Sequence, residues 1–319
     1  MIDFHSHVIP PTILAAMRAD PQRYGTRIED VDGAPVMVRG KLRLQVAADV
    51  YDADAKLAAM DRKGIDISVL SPGPQVFFYD VAGAAALVND GTAAMVARHP
   101  ARLRGMATLP LADPEAAIAE MERAARSHGF KGIEIATSAP GGEIADPKYR
   151  PLLRRAQELK LTVFAHPNTV GAGGRLDCYY LTNLIGNPLE TTIMVANLMF
   201  SGALDELGTL KMLLAHGGGF APYQVGRLLH GQRVRPETRA HSATSAKDLL
   251  KRFYFDTITH DPQALRYLIG LVGAERIVVG TDAPFDMGDD DPRSTLAGLS
   301  AEEHAALRRN ALRLLEEAA

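Results

Sequence analysis

The chain opens with Ile2-Asp3-Phe4-His5-Ser6-His7, a short and largely apolar stretch that we predict to be a β-strand over residues 2–7. Side chains two residues apart in a strand point to the same face, so His5 and His7 can reach one point. Neutral imidazole is a preferred ligand of zinc and related divalent ions. A single His-x-His pair also arises by chance on surface strands. Whether His5 and His7 form a metal site or such a chance pair therefore depends on the other residues of the chain.

Polar residues close further apolar runs of the chain. His166, His216 and Asp282 each stand at the end of a strand-like segment. Each also has an ordinary structural explanation: His166 as a turn residue before a proline, His216 as a core histidine, and Asp282 as a cap of the following segment. Four apolar runs that end in this way form a pattern, and the pattern favours a shared site.

Strand-like and helix-like segments alternate along the chain. The strand-like runs are 2–7, 66–71, 103–109, 130–136, 161–166, 210–216, 253–258 and 275–282. The stretches with helical spacing are 54–63, 82–98, 114–127, 148–159, 188–202, 221–232 and 262–272. Three Asp-Pro pairs, Asp113-Pro114, Asp146-Pro147 and Asp261-Pro262, give helix-start signals.

This alternation predicts an α/β protein with parallel strands joined by crossover helices. Eight strands close a (β/α)₈ TIM barrel, a fold of about 250 residues before insertions, and we expect one such domain over residues 1–319. An insertion at about 20–50 is expected over the catalytic mouth, with a possible β-hairpin around Arg39-Gly40-Lys41. An open doubly wound sheet is the alternative, but no glycine-rich phosphate loop follows the first strand.

Composition excludes several classes of function. The formal net charge is −3, which gives no electrostatic footprint for nucleic acid or for a membrane surface. We find no uncharged apolar stretch of membrane-spanning length and no signal peptide, and the single cysteine, Cys178, suits a reducing compartment. We therefore expect a cytoplasmic protein with a small-molecule substrate.

The barrel prediction brings the polar strand ends together. Active sites of TIM barrels lie at the carboxyl ends of the strands. His5, His7, His166, His216 and Asp282 all close predicted strands, so we expect them at one mouth.

The order of these motifs resembles the amidohydrolase superfamily, in the branch of aminocarboxymuconate semialdehyde decarboxylase. The resemblance covers nearly the whole chain and rests on Asp3-x-His5-x-His7, Met60-Asp61-x-x-Gly64-Ile65-Asp66, His166-Pro167, His216-Gly-Gly-Gly and Gly280-Thr-Asp282-x-Pro284-Phe285. It implies that His5, His7, His166 and Asp282 bind one divalent metal ion. His216 would then be the catalytic acid/base residue, and Asp282 would also take part in proton transfer.

Zinc is the expected ion and manganese the alternative, because their ligand preferences overlap in a His/Asp site. Binuclear members of the superfamily carry a carboxylated lysine at the end of strand four. Here Lys131 lies near the start of that strand and Glu134 lies near its end. We read Glu134 as part of a polar pocket or as a structural carboxylate, and we expect a single metal ion.

The resemblance also implies residues that bind the substrate. Arg227 matches an arginine that reaches across a homodimer interface to grip a substrate carboxylate, which a guanidinium binds with two hydrogen bonds. Arg43 is the second carboxylate-binding candidate, and Arg39 replaces it if the alignment shifts. Tyr179, or its neighbour Tyr180, is a candidate for stacking on a flat acid. The branch often has a tryptophan after the histidine-proline pair, whereas this chain has Asn168.

The function expected from these residues is non-oxidative decarboxylation of a small unsaturated or aromatic carboxylic acid. A metal-dependent hydrolase of a lactone, amide or ester is the alternative on the same site, and a hydratase is a third chemistry. Release of carbon dioxide distinguishes the first from the others. A barrel that only binds a ligand is disfavoured because every expected metal-ligand position is filled.

Overall fold

Strands and helices alternate along the computed structural model, which describes residues 1–40, 42–168, 171 and 173–316. The strands are β1 Ile2–Val8, β2 Arg27–Val31, β3 Ala34–Arg39, β4 Leu42–Gln45, β5 Ile67–Pro72, β6 Leu103–Gly105, β7 Gly132–Ala136, β8 Ser138–Ala139, β9 Gly142–Glu143, β10 Thr162–His166, β11 Lys211–Leu214 and β12 Tyr254–Phe255. The α-helices are α1 Pro11–Ala19, α2 Pro21–Tyr24, α3 Ala48–Tyr51, α4 Ala53–Lys63, α5 Ala84–Arg98, α6 Pro114–His128, α7 Arg150–Glu158, α8 Asn187–Phe200, α9 Ala203–Glu206, α10 Ala221–Val234, α11 Ala246–Leu250, α12 Pro262–Val272, α13 Pro292–Leu296 and α14 Ala301–Leu314. The predicted α/β class is confirmed.

Two parallel sheets carry the site-bearing strands. One has the order β1-β5-β6 and the other the order β12-β11-β10-β7. Isolated parallel bridges connect them, from Ala107 to Ile133, from Phe255 to Ile277 and from Val279 to Asp3. Followed through these pairings, the order of segments leads from β1 around to the stretch after α12 and back to β1.

The parallel register determines which side chains point to the inside of this ring. Glu134 on β7 pairs with Phe164 on β10, so the two residues lie at the same level and face the same way. Phe164 belongs to an apolar cluster with Phe4 and Leu213, and all three are fully buried. Above this apolar layer, two residues further along β10, His166 points into the same interior.

Two of the three predicted helix starts are capped by an aspartate side chain. Asp113 accepts hydrogen bonds from the first turn of α6, and Asp261 does the same for α12. The third predicted start behaves differently, because Asp146 precedes a 3₁₀ turn and accepts a hydrogen bond from the backbone N–H of Glu143. Helix α7 therefore begins at Arg150, two residues later than the predicted stretch.

A small antiparallel sheet, in the order β2-β3-β4, follows α1 and α2. β3 and β4 form a hairpin in which Val38 pairs with Arg43 and Arg39 pairs with Leu42. Met37 on β3 is fully buried in an apolar cluster that includes Met17 of α1. This cluster holds the sheet against the adjoining helices.

The last three predicted strands are shorter than expected. β11 ends at Leu214, and His216 lies in a 3₁₀ turn with a φ of +55°. β12 covers only two residues, and 275–282 forms isolated bridges instead of a continuous ladder. Asp282 also has a φ of +55°, which turns the chain out of the extended conformation that a strand requires.

Helix α14 and the short helices α1 to α3 were not among the predicted elements. In the described part of the chain, no helix combines the length and the apolar character that crossing a membrane requires.

Candidate metal centre

Four side chains from β1, β10 and the segment after α12 meet at one point. Ligand-type atoms of His5, His7, His166 and Asp282 all lie within 4.8 Å of one another, and the four residues are buried. Nε2 of His7 is 3.0 Å from Nε2 of His5 and 3.0 Å from Oδ1 of Asp282. The convergence expected from the strand ends is therefore present for these four residues.

Hydrogen bonds at the far side of two rings indicate which nitrogen faces this point. Nδ1 of His166 is 2.8 Å from the carbonyl oxygen of Pro167, which can only accept, so Nδ1 carries the proton. Nδ1 of His5 is 2.7 Å from a carboxylate oxygen of Asp256 and is protonated for the same reason. In the neutral form of each ring, Nε2 then presents a lone pair to the cluster.

This donor set fits a divalent cation. Nε2 of His166 and Oδ1 of Asp282 are buried and have no hydrogen-bond partner among the residues that the structure describes. Lone pairs that face one point repel one another unless a positive charge lies between them. Imidazole nitrogen and carboxylate oxygen are ligands that both zinc and manganese accept.

Burial and neighbouring charges act in opposite directions on these groups. Burial lowers the pKa of His7 to about 4 and holds that of His166 well below its usual range. Burial also opposes protonation of His5, yet the carboxylates of Asp282 and Asp256 together raise its pKa to about 10. The two carboxylates thus favour a positive charge at the point where the rings converge.

Asp256 holds two parts of the site at once. Besides the Nδ1 proton of His5, it accepts hydrogen bonds from the backbone N–H of His216 at 2.9 Å and of Gly217 at 2.7 Å. It follows β12 directly and is fully buried. We did not predict this residue, although it stands where the other site residues stand, after an apolar strand.

Asp3 ties β1 to the segment that carries Asp282. Its Oδ1 accepts from the backbone N–H of His5 at 3.2 Å and of Thr281 at 3.1 Å, and its Oδ2 accepts from the Thr281 hydroxyl at 2.7 Å. Burial raises the pKa of Asp3 to about 6, although the Thr281 hydrogen bond works in the opposite direction. Asp3, which opens the Asp-x-His-x-His motif, therefore joins β1 by hydrogen bonds to the segment that carries Asp282.

His216 lies beside the cluster in a turn with unusual backbone conformation. Its Nε2 is 3.4 Å from Oδ2 of Asp282, and its Nδ1 is buried with no hydrogen-bond partner in the described chain. The three glycines that follow also have positive φ. A Cβ on Gly218 would lie 2.7 Å from the ring of Phe255, and one on Gly219 would collide with the carbonyl oxygen of Pro188. The glycines let the turn fit between these neighbours.

Glu134 is a fully buried carboxyl group next to the cluster. Its Oε1 lies 3.8 Å from Nδ1 of His7, and neither carboxyl oxygen makes a hydrogen bond within the part of the chain that the structure describes. Burial raises its pKa well above the usual range.

Comparison with known proteins follows this geometry. Residues 2–316 match the family model described as "Amidohydrolase". The 2-amino-3-carboxymuconate-6-semialdehyde decarboxylase of Dictyostelium discoideum is 31% identical over 302 residues, which cover 90% of this chain and 82% of that protein. The chain belongs to the amidohydrolase family. The predicted family and branch are confirmed by these matches.

Further relatives of this amidohydrolase are named as decarboxylases. The gamma-resorcylate decarboxylase of Polaromonas sp. is 29% identical over 251 residues, with coverage of 73% of this chain and 77% of that protein. Among solved structures, the IDCase of Metarhizium anisopliae in its apo form superimposes with a TM-score of 0.84 at 27% identity, covering 99% of this chain and 96% of that one. These names agree with the predicted enzyme class, and the structural likeness supports the TIM-barrel architecture.

None of the arginine candidates forms a hydrogen bond or an ion pair with the four clustered residues in the described chain. Arg43 is exposed, and its Nη1 bonds to Glu29 at 2.8 Å. Arg227 is exposed on α10. Arg39 is partly buried and donates to the backbone carbonyl of Gln75 at 2.8 Å. Their contacts with a substrate therefore stay predictions.

The aromatic candidates lie near the loop after β10. Tyr179 is 88% exposed and Tyr180 is 57% exposed, so neither is a packing residue in this chain. Residues 169, 170 and 172 of the same loop lie outside the described ranges. Stacking of Tyr179 on a substrate also stays a prediction.

A cavity of about 510 Å³ adjoins His216 between α8, α10 and α12. The described residues that line it include no lysine, arginine, aspartate or glutamate. Its walls are mainly apolar, with Phe220, Ile258 and Tyr267 among them. Such walls suit an uncharged, flat part of a ligand.

Proposed function

We propose that this amidohydrolase is a metal-dependent, non-oxidative decarboxylase of a small aromatic or unsaturated carboxylic acid. His5, His7, His166 and Asp282 hold one divalent ion. The observation that carries the proposal is the convergence of their ligand-type atoms within 4.8 Å, with a buried His166 nitrogen that has no hydrogen-bond partner among the described residues. Zinc is the first candidate for the ion and manganese the second.

Named relatives support the substrate class. They include decarboxylases of gamma-resorcylate and of 6-methylsalicylic acid, the latter from Penicillium expansum at 28% identity. A structural neighbour at 25% identity is a 2,6-dihydroxybenzoate decarboxylase complexed with 2,6-dihydroxybenzoate. Another, the dihydroxybenzoic acid decarboxylase of Polaromonas sp., was solved with bound manganese.

The residues of the chain divide the chemistry between them. A bound divalent ion supplies electrostatic stabilisation of the negative charge on the acid. As the bond between ring carbon and carboxylate breaks and carbon dioxide leaves, the electron pair stays on that carbon. His216, in its imidazolium form, delivers the Nε2 proton to the carbon and becomes a neutral ring that takes up a proton from water before the next turnover, and Asp282, 3.4 Å away, orients that nitrogen. The apolar cavity beside His216 receives the rest of the ring.

We interpret the cyclic order of pairings as a closed (β/α)₈ barrel formed by a single domain, 1–319. Residues 20–50 are then an insertion over the mouth. In support of this, Arg39 of β3 bonds to the carbonyl oxygen of Gln75 in the turn after β5, on the side where the strands end. Arg39 also lies over the ring of Phe78, at 4.9 Å from its centre.

In this proposal the protein is a homodimer, and Arg227 of one subunit binds the carboxylate of the substrate that lies in the site of the other subunit. The exposed position of Arg227 on α10 leaves its guanidinium available for such a contact. Arg43 on β4 and Tyr179 in the loop after β10 complete the substrate-binding group in this proposal.

The test combines metal analysis with product detection. The full-length protein is purified without chelator, its metal is counted by elemental mass spectrometry, and it is offered hydroxybenzoates and conjugated acids labelled with ¹³C in the carboxyl group. One ion per chain with release of labelled carbon dioxide supports the proposal. Incorporation of ¹⁸O from labelled water without carbon dioxide release would move the function to hydrolysis or hydration.

A further inference from the structure

Partners of the far ring nitrogen differ among the three histidines of the metal centre. Nδ1 of His5 and Nδ1 of His166 each have an acceptor, at 2.7 Å and 2.8 Å. Nδ1 of His7 has the hydroxyl of Ser71 at 3.4 Å and Oε1 of Glu134 at 3.8 Å. Of the three histidines, only His7 has no acceptor within 3 Å of Nδ1 among the described residues, so no short hydrogen bond fixes the orientation of its ring.

Glu134 lacks hydrogen-bond donors, whereas His7 lacks a close acceptor. Both of its carboxyl oxygens are buried without a hydrogen-bond partner in the described ranges. Its place on β7, level with Phe164, directs it into the interior, where His7 also lies. A buried carboxyl group without a hydrogen-bond donor destabilises the fold, and more so when it is charged.

We propose that Glu134, together with Ser71, positions His7 by accepting its Nδ1 proton, directly or through the Ser71 hydroxyl. This inference rests on the proposed function, in which Nε2 of His7 binds the ion. A cation at Nε2 makes the Nδ1–H group a stronger donor, and a carboxylate acceptor in turn makes the ring a better ligand. Glu134 then does for His7 what Asp256 does for His5.

The alternative role of Glu134, as a ligand of a second ion, explains fewer of these observations than the positioning role does. Among the described residues, the group of ligand-type atoms that lie within 4.8 Å of one another contains four residues and does not include Glu134. The ring nitrogen of His7 that faces Glu134 is Nδ1, whereas Nε2 faces Asp282. Glu134 is therefore on the far side of the His7 ring from the cluster.

The experiment measures affinity for Zn²⁺ on the metal-depleted, full-length protein, by competition with a chromophoric chelator. Glu134→Ala removes the acceptor, and Glu134→Gln keeps an oxygen of the same reach. Ser71→Ala has a matched control in Ser68→Ala, because Ser68 is equally buried on β5 whereas its hydroxyl has no hydrogen-bond partner among the described residues. Side chains three residues apart in a strand face opposite sides, so Ser68 points away from His7.

The expected result is a loss of Zn²⁺ affinity of about 10- to 100-fold in Glu134→Ala, a smaller loss in Glu134→Gln and Ser71→Ala, and no change in Ser68→Ala. The metal-depleted Glu134→Ala protein is expected to melt no lower than the unaltered protein, which separates positioning from a general folding defect. In a His7→Ala background the effect of Glu134→Ala should disappear.

Unchanged affinity in Glu134→Ala overturns the inference, as does an effect that persists without His7. Two ions in the unaltered protein and one in Glu134→Ala would make Glu134 a ligand and would overturn it as well. Failure of the unaltered protein to bind Zn²⁺ or Mn²⁺ is a different result, because it overturns the proposed metal site itself.

Discussion

Asp256 accepts the Nδ1 proton of His5 at 2.7 Å, in a contact between two side chains that are both fully buried. The same carboxylate holds the backbone N–H of His216 at 2.9 Å. One side chain therefore fixes the ring orientation of a proposed metal ligand and the turn that presents the proposed proton donor. Disturbing it should affect both metal affinity and turnover.

Asp256→Asn keeps the size of the side chain and removes its charge. We expect Zn²⁺ affinity to fall by about 10- to 100-fold, because the amide is a weaker acceptor for the His5 proton. Turnover at saturating metal should also fall, because the amide accepts the His216 backbone N–H less strongly. Chelator competition and a decarboxylation assay measure the two effects. Asp290→Asn is the control, since the Asp290 side chain is 95% exposed; equal results for the two variants would contradict the assigned role.

Removing a ligand and removing the proton donor should give different phenotypes. His5→Ala is expected to lose the bound ion, because one nitrogen leaves the cluster. His216→Ala is expected to keep one ion per chain and to lose about 10²- to 10⁴-fold in kcat. Chelator treatment of the unaltered protein should abolish activity, and Zn²⁺ or Mn²⁺ should restore it. Full activity of His216→Ala on the true substrate would refute the mechanism.

Sequence reasoning predicted that the four proposed metal ligands converge because they obey a simple rule. Polar residues that end apolar strands meet at one edge of a parallel sheet, and the His5, His7, His166 and Asp282 ligand atoms do meet. The same periodicity located the bounds of α12, where Asp261 caps the first turn. Local signals were sufficient in these places because neighbours along the chain create them.

Other features depend on contacts between distant segments and left no local signal. The turn at His216 needs a carboxylate 40 residues later in the chain, Asp256, to hold its backbone N–H. The Asp3 carboxylate accepts a hydrogen bond from the hydroxyl of Thr281, which is 278 residues away in the sequence. That Glu134 has no hydrogen-bond partner among the described residues depends on which distant segments pack around it, so its residue type alone could not distinguish a ligand from a positioning group.

The glycines after His216 should be required for stability in a position-specific way. Gly219→Ala places a methyl group against the carbonyl oxygen of Pro188 at a φ of +63° and a ψ of −133°, a backbone conformation close to the region used almost only by glycine, which costs other residues about 1–3 kcal/mol before any clash. Gly226→Ala is the matched control, because a Cβ there meets nothing within 4 Å. In urea unfolding, Gly219→Ala should lose stability, whereas Gly226→Ala on helix α10 should gain about 0.5–1 kcal/mol. Comparable unfolding free energies for the two variants would contradict this account.

The position of Arg227 allows a direct test of catalysis across a dimer interface. Arg227→Ala and His216→Ala should each be nearly inactive as homodimers. The two variants are co-expressed with different affinity tags and purified on both, so that every dimer is a hybrid. If Arg227 acts on the partner subunit's site, one site of each hybrid has both residues intact, and about half of the unaltered activity per dimer should return.

If Arg227 acts within its own subunit, neither site of the hybrid is complete and activity stays at the level of the single variants. Sedimentation of the unaltered protein supplies the necessary control, because a monomer at assay concentration would rule out any action in trans. Arg43→Ala in place of Arg227→Ala is the matched comparison: Arg43 is paired with Glu29 on its own small sheet, so we expect it to serve its own subunit. Its hybrid with His216→Ala should therefore recover no activity.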